Sequence, residues 1–351
     1  MVNVYMQKKT RPFLIALVVI AFIGVIYSGL WLVLAISMKE QAVNWIAKQS
    51  DHGLKVHYDQ LVLSGFPFAV CLEVRSPVLR VSNTFLPWGW EGETLRVITQ
   101  LWNKNRFQFE LSGRQILALE RAKEIRKFSG EIKQARGQFV FSEGKIRKAK
   151  IAFRGVLLID KTRNATISMK RAELFLQRLK RTEGDQQAAN WSLYASGENL
   201  TFPFFKVSPL SNKLGLILKA RLVGDVENKF LVKSLENWRD NGGKIELEKL
   251  NAEHGPLKIH AEGTLALDNK LQPIGTLTAH LEGFYETIDA LNKLGLVKAR
   301  NAITAKVLMG VLSRTPVVGG PPVLNLAITA QNQNLYLGPV RLLQLPEVNW
   351  H

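Results

Sequence analysis

An uninterrupted apolar run near the amino terminus limits what the rest of the chain can become. The 25 residues from Phe13 to Ser37 include no charged side chain. As an α-helix they would reach about 38 Å, which exceeds the roughly 30 Å hydrocarbon core of a bilayer. A cleaved signal peptide usually has an apolar region of only about 7–15 residues. The length therefore predicts an uncleaved transmembrane helix at 13–37, although Ala35-Ile36-Ser37 loosely resembles a cleavage site.

The residues that flank this run predict its orientation. Lys8, Lys9 and Arg11 precede it, and no acidic residue occurs before position 40. Positive residues next to a first transmembrane helix favour the cytosolic side. We therefore expect a short cytosolic segment at 1–12, a helix at 38–52 that leads away from the membrane, and an exported domain at 53–351.

Beyond the anchor, the hydrophobic period changes from that of a helix to that of a strand. Apolar and polar residues alternate at 54–63, 68–74 and 137–159, and strand patterns recur at 166–177, 191–200, 213–223, 244–252, 256–267, 273–283, 323–331 and 334–343. Short turns containing Gly, Asn or Asp separate many of them, which favours antiparallel neighbours. The predicted fold class is mainly β with some α, namely a long antiparallel sheet curved into a half-barrel or groove.

One hairpin is specific enough to predict a register. If its turn is centred on Lys270, Ile259 faces Leu281 on an apolar side, and His260 faces His280 on a polar side. The two histidines near Glu262 could hold a metal, but no fourth ligand is evident. We favour a solvated cross-strand pair and predict no metal and no cofactor.

Helical spacing returns at 225–240, 285–296 and 299–313. These segments predict a few helices that cap one end of the sheet. The first of them also suggests that the exported part could consist of two halves, at about 53–224 and 225–351.

The positive charge of the chain is concentrated in one segment. The whole chain has a net charge of +18, and residues 104–181 contain 21 basic and 7 acidic side chains. Because the chain is predicted to be exported, we expect no nucleic-acid partner, and anionic lipid or lipopolysaccharide fits the charge better. The alternative is an edge strand protected by charge. The candidate contacts with an anionic surface are Lys145, Arg147, Lys148, Lys150 and Arg154.

Aromatic residues next to predicted turns are the candidate ligand contacts. Gly65-Phe66-Pro67-Phe68 interrupts a strand pattern, since proline removes a ladder donor and glycine permits unusual backbone angles. We expect such corners to direct aromatic rings into a concave groove, with ordinary core packing as the alternative. The candidates are Phe66, Phe68, Trp88, Trp90, Trp102, Phe202 and Phe204.

Motifs for catalysis are missing from the sequence. It contains no Walker loop, no GxSxG elbow, no HExxH and no CxxC. The single cysteine, Cys71, excludes an intrachain disulfide. We therefore expect a protein that is not an enzyme and has no catalytic residues.

Several strings occur in an order that identifies a family. They include Leu63-Ser64-Gly65-Phe66-Pro67-Phe68, Trp88-Gly89-Trp90 and Leu335-Tyr336-Leu337-Gly338-Pro339. The chain resembles the bacterial envelope family known as domain of unknown function 2125, for which no catalytic residues can be carried over. Its pattern is also similar to the AsmA-like envelope proteins. That similarity implies curved sheets with an apolar inner face and a link to lipid or outer-membrane homeostasis.

Together these features lead to a functional hypothesis. A protein anchored in the bacterial inner membrane, with its bulk in the periplasm, would bind lipid or other acidic envelope material in a curved β groove. The alternative is a structural scaffold for envelope protein partners, and a hydrolase of envelope polymer is less favoured.

Overall fold

The structure of the protein is a computed structural model. It describes residues 7–50, 54–81, 87–121, 124–179, 189–202, 213–224, 231–295, 297–315, 320–338, 340–345, 347–348 and 350.

The apolar run belongs to one long helix, α1, which spans Gln7–Ser50. The predicted anchor and the predicted lead-out helix are thus continuous. Among the described residues, this is the one helix that is long and apolar enough to cross a membrane. Large apolar side chains between Phe13 and Leu30 are exposed, whereas Ala35 and Met38 are buried against the sheet. The helix is therefore compatible with a single-pass membrane anchor.

The rest of the described chain is mainly strand. The strands are β1 Leu54–His57, β2 Gln60–Ser64, β3 Val70–Arg75, β4 Val78–Val81, β5 Trp88–Gln100, β6 Asn103–Arg121, β7 Glu124–Ser142, β8 Lys145–Asp160, β9 Ala165–Arg178, β10 Ala189–Leu200, β11 Leu214–Val223, β12 Lys244–His254, β13 Leu257–Leu267, β14 Pro273–Glu282, β15 Ser313–Arg314, β16 Val323–Gln331, β17 Asn334–Leu337 and β18 Val340–Gln344. Three helices lie between strands, namely α2 Leu231–Asp240, α3 Phe284–Lys293 and α4 Ala299–Leu312.

All of these strands join one sheet through antiparallel pairs. β1 pairs with β4, and β2 pairs with β3. Both β3 and β4 also pair with β5. From β5 to β14 each strand pairs with the next, β14 then pairs with β16, and β17 and β18 complete the sheet. No pair joins its first and last strands among the described residues, so the predicted open antiparallel meander is confirmed.

The predicted hairpin register is also confirmed. Lys258 pairs with Glu282, His260 with His280, and Leu267 with Pro273. β11 and β12, on the two sides of the suggested boundary near residue 224, pair along their whole length. The sheet therefore continues across that position.

One face of the sheet is apolar from strand to strand. Residues that are partners in register point to the same side, so each set of partners forms a row across the strands. One row, which contains only apolar side chains and glycine, consists of Leu63, Leu72, Val97, Phe109, Gly137, Ile151, Leu174, Ala195, Leu218, Leu250, Ala261, Ala279 and Leu326. We call this side the inner face and the opposite side the outer face.

A line of backbone irregularities, here called the crease, crosses five neighbouring strands. It is formed by Glu93, Gly113, Lys133, Gly155 and Lys170, in β5 to β9. The registers of β5 with β6 and of β6 with β7 shift there. Gly113 and Gly155 have φ angles of 77° and 60°, which favour glycine. Such irregularities bend strands and restart the alternation of side chains.

Two clusters of buried residues lie on either side of the crease. One joins Ala35 and Met38 of α1 to Val70 and Leu72 of β3. The other is centred on Phe128 and includes Val156, Leu158 and Ile167. Both lie on the inner face, and the candidate site described next includes part of the second cluster.

Candidate ligand groove on the inner face

A groove of about 440 Å³ occupies the inner face of β4 to β9. Its volume lies in the range of about 300–1,000 Å³ that is usual for ligand pockets. All residues that line it are apolar or glycine except Gln115 and Arg136. The lining residues are Leu79, Trp88, Trp90, Leu95, Phe109, Leu111, Gln115, Leu117, Ile132, Ala135, Arg136, Gly137, Phe139, Ile151, Phe153, Val156, Leu158, Ile167 and Met169.

The groove is apolar because the crease keeps apolar residues on one side of bent strands. In β8 the lining residues are Ile151 and Phe153 before Gly155, but Val156 and Leu158 after it. In β7 the same change separates Ile132 from Ala135. A strand without this irregularity would turn one of the two sets outward, since strand side chains alternate with a period of two.

The polar lining residue Gln115 is already satisfied by the protein. Its side chain is 1% exposed, and its carbonyl oxygen accepts a hydrogen bond of 3.0 Å from the indole N–H of Trp90. Its amide nitrogen donates to the carbonyl oxygens of Ser112 and Gly113, next to the crease. Gln115 therefore holds Trp90 against the wall of the groove and stabilises the crease at the same time.

Arg136 directs its charge to the outer face. Its guanidinium group lies 3.0 Å from the carboxylate of Glu110, its partner in register on β6. The groove consequently offers aromatic and aliphatic surface without a free charge among its lining residues. A surface of this kind suits an apolar chain better than a polar substrate.

Aromatic pairs stabilise the wall of the groove at Phe109 and Phe139 and the inner face beside it at Phe107 and Phe141. The rings of Phe109 and Phe139 are 5.0 Å apart at an interplanar angle of 84°, and those of Phe107 and Phe141 are 5.7 Å apart at 85°. Both are edge-to-face contacts, which aromatic rings prefer over face-to-face stacking.

The outer face carries the charges of the same strands. A row there contains Glu73, Arg96, Glu110 and Arg136, with Arg96 and Glu73 at 3.1 Å. Hydrogen bonds from Arg75 and Arg96 lower the pKa of the Glu73 carboxyl. Further along, the Nδ1 atom of His260 lies 3.0 Å from the side-chain oxygen of Asn251. Among the described residues, no group of three or more His, Cys, Asp or Glu side chains could hold a metal ion.

The structure separates the aromatic residues that the sequence grouped together. Trp88 and Trp90 line the groove, and Phe202 packs against the cluster around Phe128, part of which also lines the groove. Phe204 lies outside the described residues.

Phe66, Phe68 and Trp102 lie elsewhere, in turns at one end of the sheet. The peptide bond between Phe66 and Pro67 is cis, and the turn lies between the end of β2 at Ser64 and the start of β3 at Val70. Trp102 lies between β5 and β6. None of the three belongs to the lining of the groove.

The five predicted basic residues lie on β8 and away from the groove lining. Lys148, Lys150 and Arg154 alternate with the inner-face residues Ala149, Ile151 and Phe153, so they point to the outer face. Lys145 and Arg147 follow the turn between β7 and β8, and both are exposed. That turn is close to the first cluster, because Phe141 contacts Phe107, which packs against it.

A comparison with protein families places the chain among known sequences. The family model described as "Uncharacterized protein conserved in bacteria (DUF2125)" matches residues 31–346. The chain belongs to this family. No curated protein and no solved structure matches it. The part shared with the family contains every residue that lines the groove, and it begins at Trp31, where α1 starts to pack against the sheet.

Most lining residues were not singled out by the sequence. Phe139, Ile151, Phe153 and Met169 appeared only as parts of predicted strands, and Phe109 and Ile132 lay outside every predicted strand. The usable signal is the alternation itself, but it changes phase at the crease. A search that allows one extra residue at Glu93, Lys133 or Gly155 would have joined the two halves of each strand.

Proposed function

We propose that this protein binds the acyl part of a lipid in the inner-face groove, as a membrane-anchored envelope protein with its sheet on the periplasmic side. The observation that carries the proposal is the continuous apolar inner face, together with the groove of about 440 Å³ that β4 to β9 form on it. An apolar chain placed there would remove aromatic and aliphatic surface from water, at about 25 cal/mol for each Å² buried.

The charges outside the groove support an anionic ligand or surface. Lys145 and Arg147 are exposed at the end of the β7–β8 hairpin, on the same side of the crease as α1. Basic residues near an anionic surface contribute about 1 kcal/mol each. We propose that they contact phosphate-bearing head groups, whereas the groove itself holds only apolar chains. The proposed role is binding or transfer without catalysis.

Photocrosslinking in bacteria tests this proposal with the full chain. Phe109 or Phe153, both in the groove, would be replaced by p-benzoylphenylalanine, and the protein would be irradiated in cells and purified under denaturing conditions. We expect intact mass spectrometry to find lipid adducts at both positions.

Phe175 provides the matched control. It lies on β9 between Lys150 and Tyr194 in register, on the outer face, and so points away from the groove. A failure to find lipid at Phe109 and Phe153, or an equal yield from Phe175, would contradict the proposal.

The scaffold hypothesis is the second candidate, and one observation favours it. Ile303, Val307 and Val311 follow one another at helical spacing on α4, and all three are exposed. An apolar helix stripe of this kind is typical of a protein contact. In the same experiment, the scaffold hypothesis predicts a protein adduct of one defined mass from Val311 and no lipid adduct from Phe109.

A further inference from the structure

The turn at residues 65–69 is fastened to the apolar part of α1. The Tyr27 hydroxyl donates a hydrogen bond to the Pro67 carbonyl oxygen, and the Trp31 indole N–H donates one of 2.7 Å to that of Ala69. The Phe66 ring packs edge-on against Trp31 with the ring centroids 5.5 Å apart. These contacts fix the position of the turn along the helix at the level of residues 27–31.

The helix changes its surroundings at that same level. From Phe13 to Ile26 the large apolar side chains are exposed. From Trp31 onward one side of the helix packs against β2 and β3, while Leu32, Val33 and Ile36 stay exposed. At 1.5 Å per residue, the 18 positions from Phe13 to Leu30 reach about 27 Å, close to the roughly 30 Å hydrocarbon thickness. The membrane-spanning part would therefore end where the turn begins.

Exposed aromatic side chains gather around this exit point. Phe68 is 75% exposed, Phe66 55% and Trp102 64%. Trp102 belongs to the same region because its neighbour Leu101 packs against the cluster formed by Ala35, Met38 and Leu72. Large apolar side chains are unfavourable in water, but aromatic rings are enriched at membrane–water interfaces.

We infer that Phe66, Phe68 and Trp102 insert into the interfacial layer of the bilayer that α1 spans. The sheet then contacts the membrane at a second place beside its anchor, which sets its depth and its rotation about the helix. The lipid surface is the occupant that fits, because the turn that carries Phe66 and Phe68 is fastened to α1 at residues 27–31, next to the helix segment whose large apolar side chains are exposed. The inference does not depend on what the groove holds.

Fluorescence of the full-length protein in liposomes tests this contact. A single label would be placed at Phe68→Cys or, separately, at Trp102→Cys, in a Cys71→Ser background. The label is the environment-sensitive dye NBD, and the vesicles contain phosphatidylethanolamine and phosphatidylglycerol. The control position is Ile125→Cys, which is 61% exposed at the start of β7, at the opposite end of the sheet.

We expect the labels at positions 68 and 102 to emit at shorter wavelength than the label at 125. Lipids with a nitroxide near the head group should quench them several-fold more, and aqueous iodide should quench them several-fold less. Equal behaviour at all three positions would overturn the inference. So would protection at 68 and 102 from both quenchers, because that result would mean that protein covers the patch. Neither outcome affects crosslinking at Phe109, so this inference and the proposed function can fail separately.

Discussion

The two faces of β5 to β9 are built from alternate residues of the same strands, yet they are stabilised in different ways. On the inner face Val97, Phe109 and Ile151 lie in one apolar row, whereas the adjacent outer row has Arg96, Glu110 and Arg136. Removal of the inner side chains from water stabilises the folded protein. Exposed ion pairs contribute little to its stability because solvent screens them. The comparison teaches that the apolar side chains of the inner face stabilise this sheet more than the ion pairs of the outer face do. A substitution on the inner face should therefore change the free energy of unfolding more than one on the outer face.

The largest difference between the faces is expected near the start of β7. Phe128 is 0% exposed on the inner face, and Phe128→Ala should lower the free energy of unfolding by about 3–5 kcal/mol, because it leaves a cavity. Ile125 points outward on the same strand, and Ile125→Ala should change the same quantity by less than about 0.5 kcal/mol. Urea unfolding of the detergent-solubilised full chain, followed by circular dichroism, measures both. Similar losses for the two variants would mean that the faces do not differ as described.

A smaller effect is expected at the crease, where the alternation of inner and outer side chains changes phase. Gly155 has a φ of 60°, and an added Cβ would lie 2.6 Å from the Cδ atom of Lys133. Gly155→Ala should cost about 1–3 kcal/mol through backbone strain and this crowding. In the β7–β8 turn, Gly144 has a φ of 72° and open space around it. Gly144→Ala carries only the backbone part of the cost, so it should destabilise the protein less in the same urea measurement. If the two alanine variants are equally destabilised, the packing at the crease adds nothing.

The smallest effect is expected on the outer face. Because hydrogen bonds from Arg75 and Arg96 lower the pKa of Glu73, its contribution to stability is complete above the ordinary carboxyl pKa of 4.5. That contribution is lost as the pH falls through the lowered value. Glu73→Gln should therefore reduce the melting temperature slightly at neutral pH, and the difference from the unchanged protein should vanish in acid and shrink in high salt. A difference that persists at low pH would point to packing and not to charge.

Sequence alone predicted the regular parts of the fold well. The strand pattern at 273–283 corresponds to β14 at Pro273–Glu282, and the hairpin register is confirmed pair by pair. In that hairpin the alternation has no interruption in register, so the period of two carries through from end to end. The long strands β5 to β7 were less visible, because Trp90 and Leu95 both line the groove although an unbroken strand would turn them to opposite faces.

The destination of the Phe66 and Phe68 side chains could not be predicted from local sequence. The glycine and proline correctly marked the end of one strand and the start of another. Where the rings lie depends on Tyr27 and Trp31, about forty positions earlier in the chain. A contact over that separation has no periodic signature, so only the folded structure shows that this turn lies beside the anchor.

If α1 spans a bilayer, as we propose, its continuity would make the orientation of the sheet depend on the thickness of that bilayer. The amino-terminal half of α1 is free to lie among lipid tails, and the carboxyl-terminal half packs against the first strands. No break in the helix separates the two halves. Long apolar spans adapt to thin membranes by tilting. Any tilt of the helix would turn the entire β-sheet through the same angle. The lipid composition around the anchor would therefore determine the orientation of the sheet relative to the membrane.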